Sequence, residues 1–290
     1  MNIGIVGIGI MGNIIGRALI KQGHQLVVHD VRKEAATAMV DIGAIWASSP
    51  AETAAGSEIV ITSLPTPEAV RTVIMAPIEG VLATLPVNGV VIDMSTSPPS
   101  LARELYKECL EVGIHSLDAP LSNRGAYITV GGDQLVFERC LAVFKALADD
   151  IFYMGEPGMG HVAKLIRQYV SFGTFVLEAE AMLMATKAGA NLETTVEFLR
   201  MSIEGPSHLA RVWLPILGRD LLSVGAGSLN IIEKDLRLAV GLADELQTPA
   251  DVGRAASAVF KSGQQKGLGD EQWYKVITVL EDSAGATVQR

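Results

Sequence analysis

Cysteine is scarce: Cys109 and Cys140 are the two in 290 residues. So few cannot build a disulfide framework, and without a CxxC pair or a His/Cys cluster no zinc site is expected. His24, His29, His115, His161 and His208 share no metal-ligand spacing either. Positive charge is short as well, with 23 Lys and Arg against 32 Asp and Glu, a net charge of −9. Nucleic acid and anionic membrane surfaces both call for clustered positive charge, so neither is an expected partner. No stretch approaches the ~18 uninterrupted apolar residues of a membrane span. The most apolar run, Phe172 to Ala185, is broken by Glu178 and Glu180. The first residues enter an apolar strand pattern directly, without the pattern of a secretory leader. These absences predict a soluble, reduced, cytoplasmic protein.

What is abundant is apolar surface. Hydrophobic residues make up 49% of the chain and charged residues 19%, which suits a sizeable core and excludes disorder. In the first half, short β-branched runs alternate with helical patterns. Strands are predicted at Ile3–Val6, Gln25–His29, Glu58–Leu64, Val90–Met94 and His115–Leu117, with later ones at Ile128–Val130 and Ile151–Tyr153. Between them, Gly12–Gln22 and Leu101–Glu111 carry helical spacing. This alternation predicts a parallel sheet wrapped by helices. After Gly155-Glu-Pro-Gly-Met-Gly160 the pattern becomes all-helical, with a long helix from His161 to Ala190. Further segments follow at about 192–202, 208–222, 230–246, 250–265 and 271–281, and Thr248-Pro249 reads as a helix start. Two domains are expected: 1–160, α/β, and 161–290, all-α.

Gly7-Ile8-Gly9-Ile10-Met11-Gly12 follows the first strand and opens a helix. In a GxGxxG turn the first glycine permits the tight bend, the second lets backbone approach a pyrophosphate, and the third lets helix pack on strand. Asp30 ends the second strand, 23 residues after Gly7, where a carboxylate accepts hydrogen bonds from ribose hydroxyls. Together these predict a Rossmann-type dinucleotide site. Asp30 repels a 2′-phosphate and so favours NAD, while Arg32 keeps NADP open, since an arginine there accommodates that phosphate.

Lys164, Gln168 and Ser171 fall at i, i+4 and i+7 of the long helix and share one face. A lysine beside an amide suits proton donation held by a hydrogen-bonding orienter. Lys164 lies where the nucleotide domain gives way to the helical one, a place where ligand clefts tend to form.

The ordered set of motifs resembles the β-hydroxyacid dehydrogenase family, which contains 3-hydroxyisobutyrate dehydrogenase and tartronate semialdehyde reductase. The resemblance covers nearly the whole chain. It rests on Gly7-x-Gly9-x-Met11-Gly12, Leu64-Pro65, Asp93-Met-Ser-Thr96, Asp118-Ala-Pro-Leu-Ser122, Gly155-x-x-Gly158-x-Gly160-x-x-x-Lys164 and Lys234-Asp235-Leu236. It implies an NAD(P)-dependent dehydrogenase acting on the CH–OH group of a small, carboxylate-bearing β-hydroxyacid. Gly7, Ile8, Gly9, Met11, Gly12 and Asp30 would hold the dinucleotide. Leu64, Pro65 and Thr96 would line the nicotinamide ribose, and Lys234 would reach the cofactor from the helical domain. Ser122 would bind the substrate carboxylate, and Lys164 would be the general acid in reduction and the base in oxidation.

Three departures bear on the substrate. Asn123-Arg124 replaces the family's two glycines after the serine, the loop from Ser122 to Gly131-Gly132 is shorter, and Gln168 replaces an asparagine. Arg124 either binds a carboxylate bidentately or is simply exposed. Imine reduction on the same architecture is an alternative that Lys164 opposes, because imine reductases resembling this family usually carry Asp or Tyr there. A catalytically silent dinucleotide sensor is another. The long helix is apolar around more than one face, through Phe172, Phe175, Val176, Leu177, Met182, Leu183 and Met184, and with the resemblance this predicts a homodimer or homotetramer.

Overall fold

Strands buried on both faces read as continuous apolar runs, and here Ile59–Thr62 (IVIT) and Val90–Asp93 (VVID) are buried at every residue. The computed structural model describes residues 1–122, 125–187, 189–202, 216–218, 227–245 and 250–289, apart from the side chains of residues 177, 180, 181, 183 and 184. Asn123, Arg124, His208 and Thr248-Pro249 lie outside the described residues, as does most of the predicted helix 208–222.

Among the described residues nine strands form one sheet: β1 (Asn2–Val6), β2 (Gln25–His29), β3 (Ile45–Trp46), β4 (Ile59–Thr62), β5 (Val90–Asp93), β6 (His115–Asp118), β7 (Leu121–Ser122), β8 (Tyr127–Gly132) and β9 (Asp150–Gly155). The order is β3-β2-β1-β4-β5-β6-β8-β7, with β9 on the other side of β8. The first six strands are parallel, and β8 runs antiparallel to β6 and β7. This is the Rossmann order, whose chain reverses between β1 and β4. Side chains alternate across the sheet: Ile3, Ile5, Ile59, Ile61 and Ile92 enter one core with Ile15, Leu19 and Phe144, while Val60 and Val91 enter another with Val70, Ile74, Leu101 and Leu105. Helices therefore cover both faces.

Local chemistry sets the helix starts. Thr66 caps the helix Pro67–Met75, its hydroxyl accepting from the Ala69 N–H with proline in the first turn. Asp133 caps Gln134–Leu147 through the N–H groups of Leu135 and Val136. The strand predicted at Glu58–Leu64 stops at Thr62, because the Leu64 N–H turns away to the Ser95 hydroxyl at 2.9 Å. The segment predicted at 271–281 is a 3₁₀ turn, Trp273–Val276, followed by a helix, Ile277–Ala284. The long helix is Met159–Lys187.

The chain divides into two compact units, Met1–Lys164 and Leu165–Arg290. The second unit is helical, and Phe175, Met182, Leu236, Phe260 and Tyr274 are among its buried residues. Cys109 and Cys140 are free and buried, and burial pushes their thiols up to about 12 and about 11. Among the described residues no helix is long and apolar enough to cross a membrane.

The start of the long helix lies directly on the sheet. A Cβ at Gly160 would meet the carbonyl oxygens of Thr129 at 2.5 Å and Asp118 at 2.6 Å, both backbone atoms with little room to yield. Gly160→Ala is therefore expected to destabilise the protein by about 2 kcal/mol through overpacking, read by urea denaturation.

Candidate active site

The parallel register brings five strand ends into one row. His29, Val6, Thr62, Asp93 and Asp118 are successive partners across β2, β1, β4, β5 and β6. Just beyond that row come Asp30, the Gly7–Gly12 turn, Leu64-Pro65, Ser95-Thr96 and, past β6, Leu121-Ser122. Ligands of open α/β sheets bind along this carboxyl edge. The structure thus brings Gly7, Ile8, Gly9, Met11, Gly12, Asp30, Leu64, Pro65, Thr96 and Ser122 to one edge of the first unit.

The three glycines of the turn meet three different surroundings. Gly7 has φ +95°, and a Cβ there would lie 2.3 Å from the Ser63 carbonyl oxygen. At Gly12 a Cβ would lie 1.9 Å from the Gly7 carbonyl oxygen. A Cβ at Gly9 would meet nothing within 4 Å. The protein's own packing thus calls for glycine at Gly7 and Gly12, and the open space at Gly9 is what a pyrophosphate approaching the backbone needs. Gly9 is the N-cap of the helix Ile10–Lys21, which has no side-chain cap and no acidic residue in its first turn. The N–H groups and dipole at that end fit an anion. Asp30 is braced at both oxygens: Oδ2 accepts from the Ile8 N–H and Oδ1 from the Arg32 N–H, each at 2.9 Å. The Arg32 side chain is exposed, with Nε 4.0 Å from Asp30 Oδ1.

Lys164 is not a solvated surface lysine. It is 8% exposed, and Nζ donates to the Leu121 carbonyl at 2.6 Å, next to Ser122, which is itself buried. Asp118 fixes the turn that carries Lys164, accepting from the N–H groups of Gly158 at 2.7 Å and His161 at 2.8 Å. Burial pushes the Asp118 carboxyl up, opposed by His161 and these two N–H donors, and it stays above the usual range.

Asp93 is the centre of a second buried cluster. Its Oδ1 accepts from Thr62 Oγ1 at 2.8 Å and the Ser95 N–H at 3.0 Å, and its Oδ2 accepts from Ser97 Oγ at 3.2 Å. His161 Nε2 stands 3.4 Å from Oδ2. Burial acts to raise the Asp93 carboxyl, but His161, Ser95 and Thr62 outweigh it, and the carboxyl lies below its ordinary value. Asp93, Asp118 and His161 were not singled out as site residues by sequence reasoning. The available signal was two aspartates closing neighbouring strands, with a histidine at the start of the long helix.

In the second unit Gln168 is buried. Its amide oxygen accepts from the Arg167 guanidinium at 2.7 Å, and its nitrogen donates to Asp235 Oδ2 at 2.5 Å. Lys234 Nζ lies 3.0 Å from Asp235 Oδ1. Gln168 and Lys234 thus converge on one buried carboxylate. Among the described residues no group of three His, Cys, Asp or Glu could hold a metal.

Residues 2–155 match the family described as the NAD binding domain of 6-phosphogluconate dehydrogenase. Residues 158–280 match that described as NAD-binding of NADP-dependent 3-hydroxyisobutyrate dehydrogenase. The 3-sulfolactaldehyde reductase of Escherichia coli (strain K12) is 31% identical, covering 99% of this chain and 98% of its own length. The chain belongs to the β-hydroxyacid dehydrogenase family. The 2-(hydroxymethyl)glutarate dehydrogenase of Eubacterium barkeri is also 31% identical, covering 99% of this chain and 97% of its own. The solved Mycobacterium tuberculosis 3-hydroxyisobutyrate dehydrogenase with L-serine matches with a TM-score of 0.86 at 26% identity, over 96% of this chain and 98% of that one. Like those β-hydroxyacid dehydrogenases, this chain is an NAD(P)-dependent oxidoreductase acting on CH–OH groups, and its cofactor is a nicotinamide dinucleotide.

Two outcomes are expected. Gly9→Ala leaves stability within about 1 kcal/mol, the scale of an N-cap exchange, while weakening dinucleotide binding about tenfold or more by filling the space a pyrophosphate needs; fluorescence titration with NADH checks it. Asp93→Asn lowers stability by about 3 kcal/mol at pH 7 by breaking a buried pair. The folded Asp93 value lies below the unfolded one, so its contribution is complete above about pH 4 and is lost as pH falls through the folded value. Asp118, being raised, acts in the opposite sense. The gap in Tm between wild type and Asp93→Asn therefore narrows on acidification below about pH 4, measured by thermal melts across pH.

Proposed function

We propose that this protein interconverts a small β-hydroxyacid and its semialdehyde or ketoacid, with Lys164 as acid and base. The observation that carries the reading is the buried hydrogen bond from Lys164 Nζ to the Leu121 carbonyl. It tethers the ammonium beside Ser122, the residue assigned to the substrate carboxylate. The bound nicotinamide supplies hydride in reduction and accepts it in oxidation.

Negative charge that builds on the substrate oxygen during reduction is stabilised and then protonated by the Lys164 ammonium. In oxidation the neutral amine takes the hydroxyl proton. Ser122, Asn123 and Arg124 are assigned to the substrate, with Arg124 suited to a carboxylate. Gln168 is assigned to orientation one helical turn after Lys164. Its amide nitrogen carries two hydrogens, and Asp235 takes one, which leaves a donor for a substrate oxygen. Gly7, Ile8, Gly9, Met11, Gly12, Leu64, Pro65, Thr96 and Lys234 are assigned to the cofactor. Residues 1–160 are assigned to dinucleotide binding together with the substrate contacts of Ser122, Asn123 and Arg124, and residues 161–290 to further substrate and subunit contacts, with Lys234 assigned to the cofactor.

NAD is the favoured cofactor, because the braced Asp30 carboxylate would face a 2′-phosphate with like charge; exposed Arg32 is what would admit NADP. A homodimer or homotetramer is supported by exposed Ile166 and Val170, one turn apart on the long helix, and by exposed Phe198 and Met201. The free, buried cysteines support a reducing cytoplasm.

The test is a screen at 340 nm with NAD and NADP against 3-hydroxyisobutyrate, serine, glycerate, threonate and hydroxymethylglutarate. Turnover is expected with NAD ahead of NADP, and Lys164→Ala is expected to lower kcat by about 10²–10⁴ with cofactor binding intact. Turnover unaffected by that substitution removes Lys164 from its role. Tight cofactor binding with no turnover turns the reading toward the sensor.

A further inference from the structure

We infer that His161 is a positioning residue for Lys164, acting through the contact of its buried imidazole with the Asp93 carboxylate; this rests on the acid–base reading of Lys164. His161 is fully buried, and its side chain and backbone are anchored to different strands. Nε2 stands 3.4 Å from Asp93 Oδ2 at the end of β5, while the backbone N–H donates to Asp118 Oδ2 at the end of β6. Three residues later Lys164 Nζ reaches the Leu121 carbonyl on β7. The turn bearing the lysine is thus fixed at three points along the carboxyl edge of the sheet.

Of these points, the imidazole is the one that ties the turn to the loops assigned to the nicotinamide ribose. Asp93 Oδ1 accepts from the Ser95 N–H, and Ser95 Oγ accepts from the Leu64 N–H, so Leu64 and Thr96 flank the groups His161 engages through Asp93. An apolar side chain would fill the same volume without the cost of burying a ring whose Nδ1 has no hydrogen-bond partner among the described residues. What the ring adds is one fixed geometry between helix and strand.

Two carboxylates face the imidazole's turn, Asp93 from β5 and Asp118 from β6. The ring's contact with Asp93 and the two backbone bonds to Asp118 act from neighbouring strands on the turn that leads into Lys164, so removing the ring loosens that turn on one side.

The test uses His161→Gln, which keeps a donor, and His161→Leu, which removes it. Both are assayed on 3-hydroxyisobutyrate and the other acids above, beside Lys164→Ala. Both histidine variants are expected to bind NADH within about twofold of wild type, since neither touches the pyrophosphate turn. His161→Leu is expected to lose about tenfold or more in kcat, because a small misplacement of a catalytic group is costly. His161→Gln, which keeps a donor toward Asp93, is expected to recover most of that loss, with KM within about twofold of wild type. Wild-type kcat in folded His161→Leu, with only Tm lowered, overturns the inference and leaves the lysine reading standing. If His161→Leu does not fold, His161→Asn decides, since its shorter amide ends short of Asp93: kcat lowered about tenfold with NADH affinity kept supports the inference, and wild-type kcat overturns it. Retained turnover in Lys164→Ala, or an inactive panel, overturns both readings together.

Discussion

The Asp118 carboxylate holds the two N–H groups that begin the long helix, and the placement of His161 and Lys164 at the carboxyl edge follows from that junction. A helix start leaves its first N–H groups without partners inside the helix. Here a strand end satisfies two of them, which fixes where the helix leaves the sheet and in which direction Lys164 points. The close approach is possible because Gly131 and Gly160 carry no Cβ; at Gly131 a Cβ would stand 2.6 Å from Asp118 Oδ1. Glycine and aspartate act here as one device, small residues clearing the space that the carboxylate bridges.

The same edge concentrates buried polar groups. Asp93, Asp118, His161 and Lys164 all lie below a tenth exposure within the first unit. Such groups cost free energy unless each is paired, and here Asp93 alone draws on Thr62, Ser95 and Ser97 besides His161. Environment separates two carboxylates of the same type on neighbouring strands, one below its ordinary value and one above it. The difference lies in the balance: His161, Ser95 and Thr62 outweigh burial at Asp93, whereas burial outweighs His161 and the two backbone N–H donors at Asp118.

Much of this architecture was legible in the sequence, because period-two and period-3.6 apolar patterns report directly on burial. The Rossmann half, the helical half and the glycine-rich turn could be read from residues such as Ile3–Val6 and Gly7–Gly12. Strands of two residues, Ile45–Trp46 and Leu121–Ser122, were not legible, since two positions carry no alternation. The helices Pro67–Met75 and Gln134–Leu147 were missed although Thr66-Pro67 and Asp133 mark their starts. At the site, the motif residues were visible, but the bond network was not. The pairing of His161 with Asp93, or of Gln168 with Asp235, joins positions about seventy residues apart, and no local pattern reports it.

Lys164 is the final residue of the first compact unit, and the hydrogen bonds described above that hold it and its helix turn run to Asp118 and Leu121, both within Met1–Lys164. The proton handling proposed for Lys164 thereby rests on bonds made within the first unit. A substitution within Leu165–Arg290 removes no partner of these three bonds. The alignment of Lys164 and the integrity of the sheet edge are therefore one property, so a change that loosens the ends of β6 or β7 is felt at the ammonium.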